Sequence, residues 1–263
     1  MRIARAQSVD GEIVYGIITD EWFQPIAGSP FERELETMQP SGQPMALSSI
    51  RLLAPCQPSK IVCVGRNYAD HAAEHGAEVP KEPLIFLKPP SAVVGPNDAI
   101  VLTSLSQQVE HEAELVAVVR VRARHLTREN ALDCLLGYTC GNDVTARDLQ
   151  RRDGQWSRAK GFDSFCPVGP CLVTGLDPRD LGVWARVNGE VRQDGRTSDL
   201  IFDVATLIEF VSGVMTLLPG DLIATGTPEG VGPLAHGDLV EVEVEGVGVL
   251  RNPVFDREDR RSR

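Results

Sequence analysis

The stretch "VEHEAELVAVV", residues 109–119, decides the fold because it places three acidic side chains directly before a purely apolar run. In a β-strand, Glu110, Glu112 and Glu114 occupy alternate positions and point to the same face. The apolar run that follows is typical of a buried strand. Like charges on one strand face destabilise it unless the face is solvated or a cation lies between them. The spacing alone is compatible with both arrangements.

A second apolar stretch, "GYTCGNDV" at 137–144, predicts a strand that ends in Asn142 and Asp143. If the two strands are neighbours, Asp143 converges on Glu112 and Glu114. Carboxylate ligands without histidine or cysteine select Mg²⁺, Mn²⁺ or Ca²⁺, and three of them leave coordination positions for water and substrate. The zinc motif His-Glu-x-x-His is excluded here because Leu115 occupies its last position.

Composition limits the classes of function. The chain has 263 residues, enough for one large domain or for a small domain and a larger one. Its formal net charge of -11 repels nucleic acids and anionic membranes, so a small molecule or a protein is the expected partner. No stretch has the apolar length of a signal peptide or a membrane span, which predicts a cytoplasmic protein. The six cysteines have apolar neighbours and no Cys-x-x-Cys spacing, which predicts buried reduced thiols.

Three segments are expected along the chain. Residues 2–19 predict a β-hairpin around Asp10-Gly11, and prolines punctuate the chain up to residue 58. We therefore expect a small N-terminal β domain at 1–55, a larger domain at 56–255 and a frayed tail at 256–263. Many short strands, few helices and no strand–helix alternation predict a β-rich α+β fold.

The helices have recognisable start and stop signals. Asp203 is the expected N-cap of the longest helix, and Thr127 is expected to open another that Gly137 ends. A short helix is expected from Ala69 to Gly76. The strand that contains "AELVAVVRVRA" is expected to continue through its alternating Val and Arg residues. The loop "GTPEGVG" at 226–232 matches neither a P-loop nor a dinucleotide fingerprint, which indicates a rigid turn between strands.

Five blocks in order resemble the fumarylacetoacetate hydrolase family: "VGRNYADHAAEHG" (64–76), "EHEAELVAVV" (110–119), "GYTCGNDVTARDLQ" (137–150), "WSRAKGFDSFCPVGP" (156–170) and "LLPGDLIATGTPEGVGP" (217–233). The resemblance spans about residues 58–253. It implies a mixed β-sandwich roll, usually dimeric, with Mg²⁺ or Mn²⁺ held by Glu112, Glu114 and Asp143. Glu110 lies outside the family motif and is expected at the rim of the site.

The resemblance also implies an acid–base pair. His71 and Glu74 stand three residues apart, so on a helix the carboxylate can hold the imidazole in one tautomer. Taken alone, the polar segment around them would indicate a surface helix, with His75 facing solvent. Lys160 matches a family lysine that pairs with substrate oxygen, and its alternative is a surface ammonium group.

Five further residues are candidates for substrate binding. Arg66, Arg147 and Gln150 could hold a distal carboxylate, although surface ion pairing would also explain the arginines. Lys88 matches a family "FLKP" block and is expected to line the pocket. Thr227 could receive a substrate carboxylate or serve as a structural turn.

The resemblance implies reactions of 2-oxo or enol dicarboxylates of aromatic catabolism through an enolate that the cation stabilises. The favoured hypothesis is isomerisation of the type that 2-hydroxyhepta-2,4-diene-1,7-dioate undergoes. Alternatives are carbon–carbon hydrolysis of an acylpyruvate or fumarylpyruvate and decarboxylation of oxaloacetate, which share the same pocket. A non-catalytic dicarboxylate-binding relative or assembly partner is a further hypothesis, and metal content and turnover would distinguish it.

Overall fold

A computed structural model describes residues 1–32, 35–74, 76 and 78–257 of the chain. The α-helices of these residues are short: α1 (Ala69–Glu74), α2 (Arg147–Asp153), α3 (Ser157–Lys160) and α4 (Val204–Val214). The strands are β1 (Arg2–Gln7), β2 (Ile13–Thr19), β3 (Trp22–Pro25), β4 (Met45–Ala46), β5 (Arg51–Leu53), β6 (Ile61–Gly65), β7 (Leu84–Lys88), β8 (Val93–Val94), β9 (Ile100–Leu102), β10 (Val109–His111), β11 (Ala113–Val119), β12 (Leu135–Asn142), β13 (Thr145–Ala146), β14 (Cys166–Val173), β15 (Gly182–Val187), β16 (Glu190–Arg196), β17 (Leu222–Ala224), β18 (Gly232–Pro233), β19 (Leu239–Val244) and β20 (Gly248–Asp256).

Strand β11 lies near the middle of the largest sheet. The sheet runs β4-β3-β2-β1-β14-β12-β11-β17-β6-β7, with β5 beside β1 and β8 beside β14. All seven residues of β11 are buried. Leu115 and Ala117 face the main core cluster, whereas Val116 and Val118 face a second cluster on the other side. Burial on both faces explains why this segment is an unbroken apolar run rather than an alternating one.

A five-stranded sheet, β16-β15-β19-β20-β9, packs against the large sheet. Apolar residues of β15, β19 and α4 belong to the same core cluster as β11. A small sheet, β13-β10-β18, lies next to the acidic stretch. The predicted β-rich α+β class is confirmed. Strand β1 pairs with β14, so the N-terminal strands continue the large sheet. The division into a domain at 1–55 and a domain at 56–255 stays a prediction.

Several local predictions are confirmed. The hairpin of β1 and β2 forms as expected, and the side chain of Asp203 accepts a hydrogen bond from the backbone N–H of Thr206 at the start of α4. All six cysteines are buried and free. No helix in the described part of the chain has the length and apolar character that crossing a membrane requires.

Two element predictions were wrong. The helix expected from Thr127 is only a 3-10 turn at Ala131–Cys134, because Asn130 caps the N–H of Thr127 and the chain then enters β12. The strand expected to continue past Val119 stops there, because the next backbone amides bond to Cys134 instead of extending the ladder.

The first residue of the expected frayed tail, Asp256, is part of a strand instead. Asp256 is the last residue of β20 and pairs with Leu102. Residues 258–263 lie outside the described residues, as does His75.

Candidate active site

Three carboxylates meet where β11 and β12 run side by side. Candidate ligand atoms of Glu112, Glu114 and Asp143 all lie within 4.8 Å of one another, and each residue is at most 4% exposed. Two hydrogen bonds hold the arrangement: the backbone N–H of Asp143 donates to the carbonyl of Glu112 at 2.9 Å, and the backbone N–H of Glu112 donates to the side-chain Oδ1 of Asn142 at 2.9 Å. The structure therefore brings together the residues that the two apolar strands were expected to juxtapose.

Two of these carboxylates are paired with cationic side chains. Lys160 Nζ lies 2.7 Å from Oε2 of Glu112 and 2.7 Å from Oδ2 of Asp143. Arg147 Nη2 contacts the other oxygen of Glu112 at 2.6 Å, and Lys88 contacts the other oxygen of Asp143. Burial alone would raise the pKa of Glu112, but Lys160 and Arg147 lower it below its usual value. Glu112 is therefore held as a carboxylate.

Glu114 is different because no cationic side chain in the described part of the chain forms an ion pair with it. Among the described residues, its Oε2 accepts a hydrogen bond only from the backbone N–H of Gly226, at 2.8 Å. Burial, followed by the charges of Asp143 and Glu112, raises its pKa well above the usual value. A buried carboxylate next to two others is costly without a cation, and oxygen donors suit Mg²⁺ or Mn²⁺. The residues present therefore fit a divalent metal ion.

Glu110 is buried rather than at the rim. Strand β10 pairs with β13, which brings Arg147 at the start of α2 next to Glu110. Arg147 Nε lies 2.7 Å from Oε2 of Glu110, and its Nη1 lies 2.7 Å from Oε1 of Gln150. The guanidinium of Arg147 thus bridges two glutamates inside the protein, and Asp148 bonds elsewhere, to Ser106. This explains the third glutamate of the opening stretch: it is the counter-charge of a buried arginine.

Helix α1 presents His71 and Glu74 to the same region. The His71 side chain is 7% exposed, so it is not on a solvated helix face, and its Nδ1 lies 3.3 Å from Oε2 of Glu74. Oε1 of Glu74 accepts the backbone N–H of Gly230 at 3.2 Å. Burial raises the pKa of Glu74, and the Gly230 amide partly offsets this. Glu74 therefore joins the histidine to the loop at 226–232.

These groups line one cavity of about 490 Å³. Of the residues singled out in the sequence, it is lined by Arg66, His71, Glu74, Glu112, Glu114, Asp143, Arg147, Gln150, Lys160 and Thr227. A slightly larger cavity, about 570 Å³, lies around Thr103 and Phe162 and contains none of these groups, so its size alone does not make it the site.

Comparison with known proteins decides the family. The family model described as fumarylacetoacetate (FAA) hydrolase C-terminal matches residues 60–255, and a model described as Rv2993c-like N-terminal matches residues 1–55. The first match covers most of the chain and all three clustered carboxylates. The chain belongs to the fumarylacetoacetate hydrolase family.

Members of the fumarylacetoacetate hydrolase family similar to this chain have different named activities. The crystal structure of a 2-hydroxyhepta-2,4-diene-1,7-dioate isomerase from Mycobacterium marinum is 46% identical with a TM-score of 0.89, covering 98% of this chain and 99% of that one. Human oxaloacetate tautomerase FAHD2A is 46% identical over 79% of this chain and 70% of its own length. A maleylpyruvate hydrolase from Sphingobium sp. SYK-6, solved with manganese(II) and pyruvate, is 32% identical with a TM-score of 0.79, covering 97% and 99% of the two chains.

Three of the residues expected to bind substrate have other contacts in this fumarylacetoacetate hydrolase family member. The first is Arg147, whose guanidinium is already paired with Glu110, Glu112 and Gln150 and so does not offer a free fork to a distal carboxylate. Lys88 does not line the cavity that contains the carboxylate cluster, because its ammonium group contacts Asp143 from the other side and donates to the carbonyl of Val144 at 3.1 Å. The hydroxyl of Thr227 donates to the carbonyl of Ala113 at 2.8 Å. Since a hydroxyl has only one donor hydrogen, the structural alternative for Thr227 is favoured.

The sequence reasoning missed an aromatic wall beside Arg66. The Arg66 guanidinium lies 5.9 Å from the centre of the Trp156 ring, and Phe86 meets Trp156 edge-on at 5.2 Å. A Cβ at Gly65 would lie 2.5 Å from Trp156, so the glycine permits this packing. Arg151 also lines the cavity. The sequence did carry a signal for this wall, because the block that contains Lys160 begins with a tryptophan, Trp156.

Because Glu114 has no cationic partner among the described residues, we predict that metal binding stabilises this fumarylacetoacetate hydrolase family member. At a Mn²⁺ concentration one hundred times its Kd, mass action contributes about 2.7 kcal/mol to the free energy of unfolding. For a chain of this size we expect Tm to rise by roughly 5–10 °C. Thermal unfolding with MnCl₂, MgCl₂ or NaCl at equal ionic strength measures this. The rise should vanish with a chelator, and an equal rise with NaCl would show that only ionic strength acts.

Proposed function

We propose that the protein is a divalent-metal-dependent enzyme that interconverts enol and keto forms of 2-oxo dicarboxylates, of the 2-hydroxyhepta-2,4-diene-1,7-dioate isomerase type. The observation that carries the proposal is that the carboxylate cluster and His71 line one cavity. Such a reaction needs an electrophile at the 2-oxo group and a group that moves a proton a short distance away.

The cofactor in this proposal is Mg²⁺ or Mn²⁺, held by Glu112, Glu114 and Asp143. When bound, a divalent cation supplies Lewis acidity that polarises the 2-oxo group and stabilises negative charge on its oxygen. Lys160 contacts two of the three carboxylates, so its ammonium group is also within reach of a substrate oxygen at the cluster. We infer that Lys160 adds positive charge where the enolate oxygen forms.

We assign to His71 the transfer of the proton to and from substrate carbon. Because Nδ1 faces the Glu74 carboxylate, exchange with substrate carbon would use Nε2. Glu74 fixes the orientation of the ring, and the Gly230 amide holds Glu74 in turn. An acid–base group positioned in this way contributes typically 10²–10⁴-fold to turnover.

The distal end of the substrate is assigned to the outer part of the cavity. Arg66 is the candidate for a distal carboxylate, because its guanidinium is held above Trp156 at the cavity wall. The Oε1 of Gln150 is occupied by Arg147, so its amide nitrogen is the group that it offers to a ligand. The aromatic faces of Trp156 and Phe86 suit a planar, conjugated chain.

Hydrolysis of a carbon–carbon bond is the second candidate. The observation in its favour is the glutamate-oriented histidine, which is a suitable arrangement for removing a proton from water. Of the three relatives described above, the isomerase and the tautomerase are named for reactions that move a proton, and the third is named a hydrolase.

A substrate panel tests the proposal. The ultraviolet enol absorbance of 2-hydroxyhepta-2,4-diene-1,7-dioate, oxaloacetate, acetylpyruvate and fumarylpyruvate is followed with Mg²⁺ or Mn²⁺ and then with a chelator. We expect chelator-sensitive turnover of the heptadienedioate to an isomer of unchanged mass. Release of pyruvate from acetylpyruvate or fumarylpyruvate would establish the hydrolase instead, and release of carbon dioxide from oxaloacetate a decarboxylase. Bound metal with no turnover of any of these acids would contradict the proposal and favour a binding role.

A further inference from the structure

Gln193, on β16, is fully buried and uses every hydrogen-bonding position of its amide. Its Oε1 accepts from Nδ1 of His111 at 3.0 Å and from the backbone N–H of Ala113 at 2.9 Å. Its Nε2 donates to Oγ1 of Thr227 and to the carbonyl of Pro228, both at 2.7 Å. A backbone N–H must donate and a carbonyl must accept, so the orientation of this amide is determined by its partners.

These four bonds connect two parts of the site. Ala113 lies between the clustered glutamates Glu112 and Glu114, whereas Thr227 and Pro228 belong to the loop at 226–232, which we name the glycine loop. The glycine loop donates one backbone amide to Glu114 and another, from Gly230, to Glu74. Gln193 thus bonds to the glycine loop, which contacts both the carboxylate cluster and Glu74, the partner of His71.

The backbone around Gly230 also packs against β16. Gly230 has φ of +90°, and a Cβ there would lie 2.1 Å from the carbonyl oxygen of Arg192, the residue before Gln193. The backbone N–H that donates to Glu74 therefore belongs to a loop residue that packs directly against β16, the strand that carries Gln193. A change in how the loop sits on this strand would move that amide.

We propose that Gln193 is a positioning residue that sets the orientation of His71 through the glycine loop and Glu74. The inference deepens the proposed function and rests on it for its kinetic part. The two donor bonds from Gln193 hold Thr227 and Pro228, and the loop then holds Glu74 through Gly230. Residues that orient an active group through hydrogen bonds typically contribute 10–100-fold.

The first experiment replaces Gln193 with methionine, which keeps the length of the side chain and removes all four hydrogen bonds. We expect kcat to fall about 10- to 100-fold with little change in KM or in Mn²⁺ affinity. In a double-mutant cycle with Glu74→Gln, the two effects should be strongly non-additive, because Gln193 acts through Glu74. If Gln193→Met does not fold, Gln193→Glu replaces it, since it keeps both acceptor bonds and loses the donor pair.

A matched control comes from Asn252. Its buried amide donates to the carbonyls of Gly95 and Asp98, so it also fastens a loop, but neither of these residues lines the cavity. Asn252→Leu should lower Tm to a similar extent without changing kcat. Equal losses of kcat in both variants would assign Gln193 a general role in stability and overturn the inference.

Hydrogen exchange tests the same link without substrate. In Gln193→Met, amides of residues 226–232 and 69–74 should exchange at least about tenfold faster, whereas Asn252→Leu should leave them unchanged. Unchanged exchange in both segments, additive effects with Glu74→Gln, or a loss of Mn²⁺ affinity as large as that of kcat would each overturn the inference. If the parent turns over none of the acids, the proposed function fails, and the exchange result still decides whether Gln193 holds the loop and helix.

Discussion

Replacing Glu114 with glutamine is expected to reduce turnover at least about a thousandfold while the metal-free protein remains folded. The substitution removes one of three ligand carboxylates and leaves the shape of the side chain nearly unchanged. Removing a single well-placed electrostatic group at a reacting centre costs about 10²–10³, and a change that also weakens metal binding is expected to cost more. The measurements are kcat/KM for the best substrate of the panel and the Kd for Mn²⁺.

The same variant should be at least as stable as the metal-free parent at neutral pH. Glu114 has a raised pKa in the folded protein, so the folded state binds a proton more readily than the unfolded state. The contribution of Glu114 to the stability of the parent is therefore fully present below the usual glutamate pKa and is lost as pH rises from there through the raised value. Glutamine carries no charge at any pH and can still accept the amide of Gly226. Urea unfolding of metal-free parent and variant between pH 5 and pH 8 should show a larger loss of stability in the parent than in the variant.

Glu12→Gln is the control, because Glu12 is exposed in the turn between β1 and β2 and touches no part of the cluster. It should change neither turnover nor Mn²⁺ affinity. If Glu114→Gln unfolds the protein, Glu114 has a structural role that the metal hypothesis does not explain. If it folds and retains the turnover of the parent, the carboxylate cluster is not the catalytic centre.

The sequence predicted the β-rich class from local patterns, and it predicted the convergence of the carboxylates on the condition that their two strands are neighbours. Burial on both faces leaves an unbroken apolar run, and this run placed β11 inside the sheet. Its neighbour β12 ends at Asn142, so Asp143 had to lie at the same edge as Glu112. The helix after Asp203 was predictable because its cap and its apolar period lie within one segment.

What could not be predicted depends on partners distant in the chain. Glu110 was expected at the rim because it lies outside the family motif, yet Arg147, 37 residues away, pairs with it inside the protein. Lys88 was expected in the pocket, but its 55-residue separation from Asp143 hides the contact that places it behind the cluster. Thr127 has the residues of a helix start, yet its segment is held by the bond to Asn130 and by contacts with α4. Sequence patterns report local propensity, and tertiary contacts overrode it at these places.

Replacing His71 with alanine is expected to lower kcat by about 10²–10⁴ without changing Mn²⁺ affinity. The range is that of a general acid or base, and His71 is not among the carboxylates assigned to the metal. Glu74→Gln should have a smaller effect, about 10- to 100-fold, because it orients the ring and does not itself exchange the proton. The measurements are kcat, KM and Mn²⁺ Kd for each variant, with His125→Ala as the control because His125 is exposed and remote from the cavity.

Added imidazole separates proton transfer from a purely structural role of His71. The cavity of about 490 Å³ opens to the position of the deleted ring, so imidazole should restore part of the turnover of His71→Ala and none of that of Glu114→Gln. Rescue should increase with pH as more of the added base is neutral, since only neutral imidazole accepts a proton. If His71→Ala keeps more than about a tenth of the parent kcat, the acid–base assignment is wrong. Lys160 would then be the group to test, because its ammonium lies against two of the three carboxylates.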